Sequence, residues 1–174
     1  AAGADGIEVR GELLVDAAAE LPGIAEAAAR MQRAYSSPEG LWRDDGTLDL
    51  EALDRGLAAA AALAAPRLKM SIGGYRATSA ASLAELQARL ADTPTELVIE
   101  NDQTAAAGTL SALRPFFDTL RSHGLPLGMT FDMGNWHWTG ECPLQAAQGL
   151  APQVRYVHCK GVQRQPQRLV AVPL

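Results

Sequence analysis

The sequence is poor in the residues that announce most specialised chemistries. It has two cysteines, Cys142 and Cys159, with neither the CxxC nor the metal-finger spacing, which argues against a disulfide framework and against a zinc finger. Such thiols suit a cytoplasmic protein that keeps them reduced. No apolar run reaches the roughly 18 residues of a membrane span, and the alanine-rich stretch from Leu57 to Ala65 is too short for one. No signal peptide opens the chain. Lysine and arginine number 15 against 20 acids, a formal charge of −5, with no basic stripe, which argues against nucleic acid as a partner. With only three histidines, a His-rich multi-zinc nuclease centre is disfavoured as well. No glycine-rich dinucleotide fingerprint follows the first strand candidate. The chain also lacks an initiator methionine and stops just after an apolar-rich segment; both ends read as cut from a longer protein.

What is present is a repeated strand grammar. Leu97-Val98-Ile99 runs without alternation into Glu100-Asn101-Asp102, the pattern of a strand buried on both faces that delivers an acid to a rim. Gly128-Met129-Thr130-Phe131 ends likewise in Asp132, and Val154-Arg155-Tyr156-Val157 in His158. Earlier strand candidates lie at Gly6–Arg10, Gln32–Ser36 and Leu68–Ile72. Helices are expected over Asp16–Arg30, Asp49–Ala65, Ser79–Ala91, Thr109–Ser122 and Pro143–Leu150, with Asp16 and Asp49 as caps and His123 as a dipole-favoured helix end. Ser37–Thr47 and Gln163–Arg168 read as loops, and Val170–Leu174 is ambiguous.

Strands recur roughly every 30 residues with a helix between, the unit of a (β/α)8 barrel, which takes about 250 residues for eight units. The reading is therefore α/β, a (β/α)8 TIM-barrel-type fold that is incomplete, with about six βα units in one domain spanning 1–174. The competing fold is an open doubly wound sheet.

All strand ends of a barrel open on one face. Glu100, Asp132 and His158 would then converge as ligands of a divalent cation such as Mn²⁺, Mg²⁺, Co²⁺ or Zn²⁺, with positions left open for substrate. Against that stands the ordinary reading of each as a loop carboxylate or a lone imidazole. Asn101, Asn135, His137, Lys160 and Arg164 follow the three strand ends and are candidates for substrate binding. Amides, indoles and two cations suit a small polyhydroxylated or anionic molecule. Glu8, Arg10 and Glu39 are read as structural or solvent-facing charges.

The strings Gly6-Ile7-Glu8-Val9-Arg10, Leu97-Val98-Ile99-Glu100-Asn101, Phe131-Asp132-Met133-Gly134-Asn135 and Tyr156-Val157-His158-Cys159-Lys160 resemble the xylose isomerase-like TIM barrel superfamily. This group holds sugar phosphate isomerases and epimerases together with endonuclease IV-like (AP endonuclease family 2) proteins. The resemblance runs from the family's second strand to its seventh. It implies that Glu100, Asp132 and His158 are three of four metal ligands, the fourth being a Glu on an eighth strand beyond this sequence. It implies a metal-dependent isomerase or epimerase of a sugar or hydroxy-keto compound acting through an enediolate. Glu100 would be both ligand and acid/base, and the 174-residue piece would itself be inactive without the missing Glu. Sugar epimerases of the family often carry a His three residues after the aspartate, where this chain has Asn135. A lyase or dehydratase of an inositol-type ketone and a non-catalytic binding barrel are the alternatives. The expected partner is a small sugar or keto acid, with no nucleic acid or membrane; a homo-oligomer is compatible with the reading.

Overall fold

The computed structural model describes residues 3–173. Six strands form one parallel sheet in chain order: β1 (Gly6–Arg10), β2 (Gln32–Trp42), β3 (Arg67–Gly73), β4 (Glu96–Glu100), β5 (Gly128–Asp132) and β6 (Val154–His158). Each is joined to the next by a helix: α1 (Ala17–Ala27), α2 (Leu50–Ala62), α3 (Leu83–Ala91), α4 (Leu110–Ser122) and α5 (Pro143–Leu150). Sequential order with every neighbour parallel is the topology of a barrel wall and not of a doubly wound sheet, whose order reverses at a switch point. The sheet curls far enough for Glu8 on β1 to hydrogen-bond His158 on β6. The molecule is an incomplete (β/α) barrel, and β1 and β6 are its outer strands.

The helices begin where side chains replace the missing backbone acceptors. Asp16 accepts from the Ala19 N–H, Asp49 from Ala52 and Thr109 from Ala112. Each helix then turns an apolar stripe inward. In α4 the buried positions are Leu113, Phe116, Phe117 and Leu120, one face at helical spacing. These meet Leu68, Met70, Leu97, Ile99, Met129 and Phe131 of the strands in a single core between sheet and helices. Since side chains alternate along a strand, the opposite set faces the barrel interior. That set includes Glu8, Lys69, Glu100, Asp132 and His158, so the interior is ionic where barrels are more often filled by branched aliphatics.

Three expectations are corrected. β2 is an eleven-residue strand, not a short one followed by a loop at Ser37. Its register shifts between Ser36 and Gly40, a bulge that accommodates Pro38 and Gly40, the residues that read as turn formers. Ser79–Ala91 begins as a 3-10 turn (Ala77–Ser82), and the α-helix starts at Leu83. Finally, the polar stretch Gln163–Arg168 is not a loop. It belongs to an antiparallel hairpin of β7 (Gly161–Gln165) and β8 (Arg168–Val172), whose strands are solvated enough to carry glutamine and arginine.

Candidate metal centre

At the C-terminal rim of the strands, Glu100, Asp132 and His158 each offer one donor atom, and the three donors lie within 4.8 Å of one another. The positions follow from the register: β4 pairs β5, and Asp132 is directly across from His158.

Asp132 is fixed on every side. Its backbone N–H and carbonyl are held by the Asn101 side chain, and its Oδ1 accepts the N–H groups of Gly134 and Asn135. That leaves Oδ2, which lies 2.9 Å from Lys160 Nζ and 3.6 Å from His158 Nδ1. His158 sits among carboxylates: Nδ1 is 2.9 Å from Glu100 Oε1, and Nε2 is 2.9 Å from Glu8 Oε2. Lys69 Nζ spans Glu8 (3.0 Å) and Glu100 (2.9 Å), with only 6% of its side chain exposed.

The charges explain one another. Burial by itself would lower the His158 pKa, but hydrogen bonds to Asp132, Glu100 and Glu8 outweigh it and push the value up to about 10. Burial would raise Glu8 and Asp132. The bond from His158 with the Lys69 charge holds Glu8 below its ordinary value, and bonds from His158 and Lys160 do the same for Asp132.

The residues nominated for substrate contact divide. Lys160 and Asn135 line a rim concavity of about 760 Å³, with Lys160 Nζ donating to Asn135 Oδ1 at 2.7 Å and lying over the Trp138 ring. Asn101 is fully buried beneath Asp132 and lies outside the concavity. His137 is exposed in a short 3-10 turn, and Arg164 is exposed on β7; neither lines the concavity. His123 ends α4, its Nδ1 2.9 Å from the Thr119 carbonyl oxygen.

Two residues at the heart of the cluster had no assigned role from sequence. Glu8 looked like a structural or surface charge at a strand end, and Lys69 lay unremarked inside the apolar run Leu68–Ile72. A lysine in the middle of an otherwise buried strand was the available signal, because such a charge is rarely buried unless it is paired.

The donor set fits a divalent ion. Two carboxylates and an imidazole suit a hard or borderline cation, and their mutual distances allow a common focus. A parallel wall of strands in chain order, with a helix between each pair, is the TIM-barrel class of fold. Within it, the chain has the xylose isomerase-like TIM barrel fold. It superposes on the 3-keto-D-glucoside 4-epimerase YcjR from E. coli in its apo form, with a TM-score of 0.61 and 16% identity over 90% of this chain and 68% of that one. It superposes on a xylose isomerase domain containing protein from Salmonella typhimurium LT2 (TM-score 0.68, 15% identity, 98% of this chain and 68% of that one). A third match is the probable 3-DHS dehydratase AsbF of Bacillus anthracis, at TM-score 0.60 and 14% identity over 92% and 64% of the two chains. At such identities the likeness is one of fold. No protein-family model matches the sequence, and no curated protein is detectably similar to it in sequence.

Proposed function

We propose that this rim is the centre of a divalent-metal-dependent isomerase or epimerase acting on a sugar or a related hydroxy-keto compound. The observation that carries the reading is the convergence of Glu100, Asp132 and His158 at three strand ends. Those residues would hold the ion, which when bound supplies Lewis acidity to neighbouring carbonyl and hydroxyl oxygens of the substrate.

The chain's own groups would do the rest. Glu100 receives Lys69 and faces His158 through the same oxygen, Oε1, which leaves Oε2 to take and return a proton. Lys160, braced by Asn135 and Trp138, presents a cation to a carbonyl or hydroxyl oxygen. The wall is polar: six carboxylates and three lysine or arginine side chains line the concavity, and among the described residues no phenylalanine, tyrosine or tryptophan does. Such a surface favours a ligand recognised by hydrogen bonds over one recognised by stacking.

Removing a proton beside a carbonyl is also the first step in expelling a β-hydroxyl, and a probable dehydratase shares the fold. A lyase acting on a cyclic hydroxy-ketone is therefore the second reading. Incubating the Mn²⁺-treated protein with ketoses and 3-ketoglycosides in D₂O separates the two by NMR. An isomerase or epimerase exchanges the carbon-bound hydrogen and retains all hydroxyls, whereas a lyase yields an unsaturated product. Absence of both exchange and product, in a protein that also fails to bind Mn²⁺, would sink the proposal.

A further inference from the structure

We propose that Glu8 is the positioning residue of this centre: it accepts the Nε2–H of His158 and so presents Nδ1 as the ligand nitrogen. The inference rests on the metal reading above and adds to it a residue from the far end of the chain. The two ring nitrogens of an imidazole point in different directions, and an ion replaces the proton of only one. The groups that share a focus with His158 lie on its Nδ1 side, Glu100 at 2.9 Å and Asp132 at 3.6 Å. Nε2 points away from them and meets Glu8 Oε2 at 2.9 Å. Glu8 therefore supports the ring from behind, and a metal-bound histidine needs such an acceptor to fix its tautomer and orientation.

Glu8 is itself held. Its second oxygen receives Lys69 Nζ at 3.0 Å, and the same ammonium donates to Glu100 at 2.9 Å. Lys69 thus ties the supporting carboxylate to a ligand carboxylate. The Tyr156 ring, one strand period below, packs edge-on against the imidazole with centroids 5.0 Å apart, which limits rotation of the ring. Tether, acceptor and packing leave His158 one orientation.

The experiment compares wild type, Glu8→Ala and Glu8→Gln by calorimetric titration with Mn²⁺ and by proton NMR of the Co²⁺-loaded proteins. Glutamine keeps a carbonyl oxygen that can accept from Nε2–H; alanine keeps nothing. Glu8→Ala is expected to bind Mn²⁺ about 10–100-fold more weakly, the usual scale for losing such a partner. Glu8→Gln should recover a substantial part of that loss. In the Co²⁺ form the wild type and Glu8→Gln should show one shifted, exchangeable imidazole N–H signal, which Glu8→Ala loses to rapid solvent exchange. Wild-type affinity in Glu8→Ala overturns the inference and leaves the metal reading standing. Equal losses in both variants also overturn it, since charge alone would then account for the effect. A wild-type protein that binds neither ion overturns the metal reading and the inference together.

Discussion

Asn101 and Asp132 exchange two hydrogen bonds: the Asn101 Nδ2 donates to the Asp132 carbonyl oxygen at 3.0 Å, and the Asp132 N–H donates to Asn101 Oδ1 at 2.8 Å. An amide side chain from the end of β4 thereby imitates a strand partner for the last residue of β5. Asn135 closes the unit by donating its Nδ2 to the Asn101 carbonyl oxygen at 2.7 Å. Asn101→Ala would leave a buried donor and a buried acceptor of Asp132 unpaired. A loss of about 2–6 kcal/mol is expected, from roughly 1–3 kcal/mol for each of the two stranded groups. Urea unfolding measures it, and a loss below about 1 kcal/mol would mean that water replaces the amide.

Removing a proposed ligand should remove the ion. Asp132→Ala and His158→Ala are expected to abolish Mn²⁺ binding in calorimetry. Glu100→Gln should keep weak binding, because an amide oxygen can still touch the ion, yet lower any turnover by about 10²-fold or more, the scale of a lost general base. Full turnover in Glu100→Gln would confine Glu100 to a structural role.

The metal-free chain should lose stability as the solution turns basic. His158 holds its proton up to about 10 when folded, against 6.5 for an ordinary histidine. Between those values the folded state binds the extra proton, so the contribution is whole below 6.5 and fades as pH rises through about 10. Glu8 and Asp132 work in the opposite direction: their contributions are present above the ordinary carboxylate values of 4.5 and 3.8 and are lost as pH falls through their lower folded values. With a chelator present, the urea midpoint is expected to fall from about pH 6 to about pH 9. Saturating Mn²⁺ should remove that decline, because loading displaces the Nδ1 proton. A flat profile in chelator would show that His158 is not charged in the folded chain.

Gly73→Ala tests the joint between β2 and β3. Gly73 has φ +61°, and a Cβ there would lie 2.2 Å from the Trp42 carbonyl oxygen. Trp42 is 2% exposed and packs edge-on against Tyr75 and Phe116. The backbone cannot yield without moving that ring, so a loss of at least about 2 kcal/mol is expected, given 1–3 kcal/mol for strained backbone alone. Chemical denaturation with tryptophan fluorescence reads the loss and any displacement of Trp42 together.

β4 and β5 and their rim acids were legible because burial writes itself into sequence as unbroken apolar runs, and both runs stop at an acid; β6 includes Arg155 and is only partly buried, so the pattern that placed His158 was weaker. Leu97–Glu100 and Gly128–Asp132 are strands as read, with His158 at the end of a third. Long-range contacts left no such trace. Glu8 precedes His158 by 150 residues, and only the curl of the whole wall brings them together. Lys69 could be placed on a strand, but the neighbours that neutralise it come from β1 and β4. Arg164 and His137 failed to reach the concavity for a local reason: a hairpin and a 3-10 turn carry them outward, and polar composition does not reveal which way a turn leads.

The Glu8–His158 bond also orders events as the polypeptide acquires its shape. Its partners lie on the first and last strands of the sheet, so the contact cannot form until every intervening βα unit is in place. Closing so large a loop is entropically costly, and contacts of this separation are made late. Contacts between neighbouring strands, such as Lys69–Glu100, can therefore form before that bond does. The Glu8–His158 bond should therefore be the last part of the cluster to close, and Glu8→Ala should speed unfolding more than it slows folding.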